Sequence, residues 1–141
     1  MMRLDYTKLS PQAYQGLLSC KNALAESSLG LPLIELVYLR VAQLNGCAFC
    51  LKLHSHALRR RGESQEKLDA LAGWDVADIL SPREAAAIAW TEAVTRIGES
   101  RAPDDLYQAL GGHFSAAEIS DLTLAIALMN AFTRIAVAVR Q

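Results

Sequence analysis

Apolar residues recur along this chain at intervals of three and four, and no turn-bounded stretch alternates strictly between apolar and polar. That pattern predicts helices throughout and no strands. Ser10-Pro11 opens the first predicted helix, with serine as N-cap and proline at the first helical position, and it runs to about Glu26. Ser27-Ser28-Leu29-Gly30 breaks it. Pro32 opens a second helix that ends near Leu44, where Asn45-Gly46 is a strong turn signal. A third runs from Cys47 to Arg61 and stops at Gly62, and a short one covers Ser64 to Ala70. A loop beginning at Gly73-Trp74-Asp75 leads to Ser81-Pro82. From there a helix is predicted to about Gly98, with Ser81 and Glu84 spaced as a capping box. Ala102-Pro103-Asp104-Asp105 starts a helix that ends at Gly111-Gly112. A second capping box, Ser115 with Glu118, opens the last helix, from Ala116 to about Arg140.

The most apolar segment, Leu122 to Val139, is interrupted by Thr123, Asn130, Thr133 and Arg134. It falls short of the roughly 20 apolar residues of a bilayer span, so a buried or subunit-interface helix is expected. Long helices joined by short loops make an all-α bundle of about six to seven helices. At 141 residues, the chain is expected to form a single domain spanning 1–141.

Charge narrows the partners. The net charge is −1 and the pI is about 6.3, so no nucleic-acid and no membrane partner is expected, since both favour clustered Lys and Arg. The 52% apolar content points to a homo-oligomer with apolar faces to cover. The opening Met1-Met2-Arg3-Leu4-Asp5-Tyr6 has no secretory-signal character, and the cysteine count is odd, at three. Both point to a cytoplasmic chain in which a close cysteine pair is catalytic or metal-binding rather than structural.

That pair is Cys47 and Cys50, followed by His54. On a helix advancing about 100° per residue, the three share one narrow face and His56 lies opposite. Cys50 and His54 are i and i+4 neighbours. Cysteines at a helix start have lowered pKa values, because unpaired N–H groups and the helix dipole favour the thiolate. His54 is placed to accept the Cys50 proton. Two sulfurs one turn apart can deliver two electrons to an oxidant and stop at a reversible disulfide. Glu35 lies in the first turn of the preceding helix, with Leu31, Tyr38 and Leu39 as its helical neighbours. Either it favours the helix N-terminus and stays solvated, or the Asn45-Gly46 turn folds it onto His54 as a proton acceptor or orienting group.

Glu35, eleven residues, Cys47-Ala48-Phe49-Cys50, three residues and His54 together resemble the signature of the alkylhydroperoxidase D-like (AhpD-like) branch of the carboxymuconolactone decarboxylase superfamily. The likeness covers most of the chain and is strongest over residues 29 to 72. It implies an all-α fold assembled as a trimer or hexamer. It also implies a thiol-dependent hydroperoxide reductase, a peroxidase with an antioxidant role. In that scheme Cys50 is the peroxidatic thiol, Cys47 resolves it, and Glu35 and His54 form the proton relay. The substrate would be an organic hydroperoxide and the reductant a thiol or lipoyl-type partner, with no metal or organic cofactor required. One departure stands out: the best-known peroxidase of the family has a histidine directly before its second cysteine, where this chain has Phe49.

Other readings of the same residues exist. A zinc site would draw on Cys47, Cys50 and His54, with Glu35 or Cys20 as fourth ligand, but structural zinc sites usually take ligand pairs from separate elements. A thiol–disulfide oxidoreductase or redox sensor would use the same dithiol. A non-redox carboxymuconolactone decarboxylase-like enzyme would leave the cysteines as core residues. Away from the motif, Cys20 is expected as a core thiol, Trp74 and Trp90 as packing anchors, and His113 in a loop. Arg59, Arg60 and Arg61 are expected in solvent, and Arg134 is expected to pair with a carboxylate at a subunit interface.

Overall fold

The computed structural model describes residues 1–141. It contains nine helices and no strand: α1 Tyr6–Leu9, α2 Pro11–Ala25, α3 Leu31–Asn45, α4 Ala48–Arg60, α5 Gln65–Ala70, α6 Pro82–Thr95, α7 Ile97–Ser100, α8 Asp104–Leu110 and α9 Ala116–Val139. A 3₁₀ turn, Leu71–Gly73, extends α5. The fold is therefore all-α, as the periodicity predicts.

The third helix is the axis of the molecule. α3 is apolar almost all round, and a helix of that kind must be buried. Leu33, Ile34, Leu36, Val37, Leu39 and Val41 are all buried, and α4, α6 and α9 pack directly on the helix. Leu122, Ala125, Ile126 and Met129 of α9 complete the same core. By length and composition alone, α9 is apolar enough to cross a membrane, although Thr123, Asn130, Thr133 and Arg134 interrupt it. Here one of its faces is core, and Leu124 and Val137 are exposed.

Two polar clusters clamp α3 to its neighbours. Arg40, itself buried, donates from Nε and Nη2 to Glu92 Oε1 on α6 at 2.8 and 2.7 Å, and Trp74 Nε1 donates to the same oxygen at 2.8 Å. At the far end of α3, Asn45 Nδ2 donates to Asn130 Oδ1 (2.9 Å) and Thr133 Oγ1 (2.8 Å) on α9. Asn130 in turn donates to Thr95 Oγ1 of α6 at 3.0 Å. Buried amides need such partners, and these bonds tie the end of α3 to two other helices.

Both capping boxes form. Several boundaries differ from the sequence reading. α1 was not expected: it is one turn, too short to show a period, and Asp5 caps it by accepting from Thr7 N at 3.1 Å. Ser10 stands at the N-cap of α2, but its side chain makes no capping bond. α6 ends at Thr95 rather than Gly98, because Arg96 leaves helical geometry and the chain restarts as α7. Arg134 is exposed and bonds to the side-chain and backbone oxygens of Asn130, so its partner within the chain is an amide rather than a carboxylate.

Candidate functional site

The turn between α3 and α4 builds the site. Gly46 has φ +63°, in the left-handed region that glycine enters without penalty, and it closes α3 by donating from its N–H to the Ala42 and Gln43 carbonyls. The chain then reverses, which lays α4 against α3. Cys47 is extended and acts as the N-cap of α4, so the helix begins one residue later than the sequence reading. Its Sγ accepts a hydrogen bond from the Cys50 backbone N–H at 3.3 Å. Cys47 and Cys50 are paired as a disulfide, with Cα atoms 5.3 Å apart. Both are buried, in a small apolar cluster with Ala42 and Ala136.

His54 lies one turn after Cys50 on the same face, whereas His56 is exposed on the other. The His54 ring is buried, and its Nδ1 lies 2.7 Å from Glu35 Oε2. This contact decides between the two readings of Glu35. α3 starts at Leu31, so Glu35 sits in its second turn, past the unpaired N–H groups of the first. Only 12% of its side chain is exposed, and its partner is His54. The imidazole therefore has one nitrogen committed to a carboxylate and Nε2 left for other work.

A cavity of about 160 Å³ opens beside this pair, with Cys50 and His54 in its wall. Phe49, Leu53, Met129 and Phe132 give it an apolar lining, and Tyr6 and Tyr14 close one side. The volume is that of a cavity able to hold a benzene-sized group. Phe49, directly before Cys50, is half exposed and belongs to this lining.

Tyr38 is a site neighbour that the sequence reading did not single out. Its ring packs against that of His54, with centroids 5.2 Å apart. Its hydroxyl is buried with no hydrogen-bond partner. Burial pushes its phenol well above the usual value, helped by the charge of Glu35. Tyr38 lies one turn from Glu35 on α3, and that i,i+3 relation was its only sequence signal.

Cys20 is the one free cysteine. It is half-buried and packs against the core, as expected. His113 lies in the loop before α9, and Arg59, Arg60 and Arg61 face solvent. Trp90 is buried and donates to Thr123 Oγ1 at 3.0 Å, which fits a packing anchor.

Residues 11–93 match the carboxymuconolactone decarboxylase family. The Bacillus subtilis (strain 168) protein YdfG is 33% identical over 136 residues, which is 96% of this chain and 92% of that one. The Agrobacterium tumefaciens protein ATU0492, of unknown function and described as a candidate antioxidant defence protein AhpD, has a crystal structure that superposes with a TM-score of 0.96. It is 36% identical, and the match covers 100% of this chain and 97% of that one. A peroxidase-related protein with an AhpD core from Ralstonia eutropha JMP134 shares the fold, with a TM-score of 0.82 at 20% identity over 94% of this chain and 71% of its own. The chain belongs to the carboxymuconolactone decarboxylase family, in its AhpD-like branch.

Proposed function

We propose that the protein reduces organic hydroperoxides with the Cys47–Cys50 dithiol. The observation that carries this reading is the buried Glu35–His54 contact, which ends at the same cavity wall as Cys50. In the reduced protein, His54 takes the Cys50 proton and Glu35 holds the imidazole and balances its charge. The Cys50 thiolate attacks the outer oxygen of the hydroperoxide and the O–O bond breaks. Cys50 becomes a sulfenic acid, and the alkoxide takes the proton back from His54 and leaves as an alcohol. The Cys47 thiol then attacks the Cys50 sulfur, a water leaves, and the disulfide forms. The dithiol has supplied two electrons, and a thiol reductant restores it. The apolar lining of the cavity favours an alkyl or aryl hydroperoxide over hydrogen peroxide. The similarity to a candidate antioxidant defence protein supports the same reading.

The test is the rate of disulfide formation when the reduced protein meets one equivalent of cumene hydroperoxide, with free cysteine as reference. We expect a rate well above that of free cysteine, lost in Cys50→Ser and strongly reduced in His54→Ala. A rate no faster than free cysteine would overturn the proposal.

A further inference from the structure

The two sulfurs open to different places. Cys50, but not Cys47, lies in the wall of the apolar cavity. Cys47, but not Cys50, lies in the wall of a second cavity of about 140 Å³, between the start of α4 and the last turn of α9. Ala136 and Gln141 belong to both linings and stand between them. Gln141 is held there by its N–H donating to the Ala136 carbonyl (2.9 Å) and by the Tyr6 hydroxyl donating to its Oε1 (3.2 Å).

The second cavity is less apolar than the first, and each is lined by one basic side chain, Lys21 in the first and Arg140 in the second. Gly46 and Ala48 leave its floor bare of large side chains, and Val137 supplies one wall. Its one charged side chain is Arg140, which forms no ion pair with another side chain, and no acidic side chain lines it. The N-terminus of α4 adds positive potential at the same place.

Thiol–disulfide exchange discriminates between the two sulfurs of a disulfide. The attacking thiolate approaches one sulfur and expels the other, and the better-stabilised thiolate leaves faster. Approach through the second cavity reaches Cys47 and expels Cys50, which has His54 one helical turn away to receive it.

We propose that this second cavity is the reductant site: it admits a slim thiol carrying an anionic group, which Arg140 attracts and which attacks Cys47. The inference rests on the dithiol reading above. The reductant thiolate RS⁻ bonds to the Cys47 sulfur as the Cys47–Cys50 bond breaks, and the Cys50 thiolate takes a proton through His54. A second RS⁻ attacks the R sulfur of the mixed disulfide and releases RSSR. The Cys47 thiolate then takes a proton from solvent. Two RSH molecules are oxidised and one protein disulfide is reduced. Oxidant and reductant thus enter from different sides and do not compete for one mouth.

The experiment uses the full chain oxidised with diamide, so that it does not depend on any peroxidase activity. Reduction rates are measured with three two-carbon thiols: 2-mercaptoethanesulfonate, 2-mercaptoethanol and cysteamine, each normalised to its thiolate concentration. We expect the sulfonate to be fastest and the amine slowest. The sulfonate-to-amine ratio should fall about threefold or more in Arg140→Asn, further in Arg140→Glu, and flatten at high salt. Asparagine tolerates the left-handed backbone found at this position, where φ is +63°. Rapid quenching with an alkylating reagent and peptide mapping should find the mixed disulfide on Cys47 and the alkyl group on Cys50. An adduct on Cys50, or a charge preference unchanged by both Arg140 variants, would overturn the inference. Failure of cumene hydroperoxide to oxidise the dithiol, with these results intact, would overturn the peroxidase reading alone.

Discussion

His54 Nδ1 and Glu35 Oε2 meet at 2.7 Å across the α3–α4 hairpin, nineteen residues apart in sequence, with the ring buried and the carboxylate nearly so. A single hydrogen bond therefore fixes which imidazole nitrogen faces the rest of the site. Replacing Glu35 with Gln keeps the shape and removes the charge that balances an imidazolium. We expect Glu35→Gln and His54→Ala each to slow oxidation of the dithiol by cumene hydroperoxide by about 10²-fold or more, the scale of a positioned general base. Stopped-flow measurement of disulfide formation checks this, with circular dichroism to confirm folding.

Asn45 ties the end of α3 to Asn130 and Thr133 of α9. Truncation removes the donor to Thr133 Oγ1 and leaves Asn130 Oδ1 with Arg134 alone. Asn45→Ala should cost about 1–3 kcal/mol, read as a lower urea midpoint at unchanged slope. Because the next two residues are Gly46 and Cys47, the variant should also make the disulfide easier to reduce with a fixed thiol concentration.

The Tyr38 hydroxyl has no partner while its ring fills the space beside His54. Phenylalanine keeps the ring and removes the unmet group. Tyr38→Phe should raise stability by roughly 1 kcal/mol. Its phenol pKa is raised in the folded state, so the neutral phenol stabilises below the unfolded value, near 10.0, and that contribution is lost as pH rises above it. Wild type should therefore lose stability at alkaline pH more steeply than Tyr38→Phe in matched urea titrations. Equal slopes would show that the phenol ionises freely in the folded protein.

Glu84 gives a prediction at the acid end. Burial alone would raise its carboxyl, but hydrogen bonds from Lys67 and the Ser81 N–H, with the Lys67 charge, outweigh burial and hold it below 4.5. A carboxyl depressed by folding stabilises above its unfolded value, and that stability is lost as pH falls through the folded one. Between about pH 5 and pH 3, wild type should lose more of its urea midpoint than Glu84→Gln does. The two slopes should agree near neutrality, where neither side chain titrates.

Much of the site was legible because its members fall within two consecutive helices. Helical period placed Cys50 and His54 on one face, and Asn45-Gly46 announced the reversal that brings Glu35 over. What sequence could not show was which partner Glu35 takes, because a one-residue shift in the start of α3 moves it out of the reach of the helix terminus. The cavity walls were also hidden. Tyr6, Tyr14 and Phe132 arrive from α1, α2 and α9, and no local period connects them to the cysteines. α1 is a single turn and carries no periodic signal. Arg134 showed no partner in the sequence; within the chain α9 turns it outward, with Asn130 one helical turn away to accept from it.

The Cys47 sulfur also accepts the hydrogen bond that begins α4. Under the proposed function, one atom serves as helix initiator and as redox centre. A thiolate at that position is a charged acceptor facing a helix terminus, while a disulfide sulfur is a neutral and weaker one. Under that proposal, each passage through the Cys47 thiolate tightens the first turn of α4, and disulfide formation relaxes it. Hydrogen exchange of the Cys50 amide should be slowest when the pair is reduced and Cys47 is ionised, so the backbone itself records that state of the sulfur.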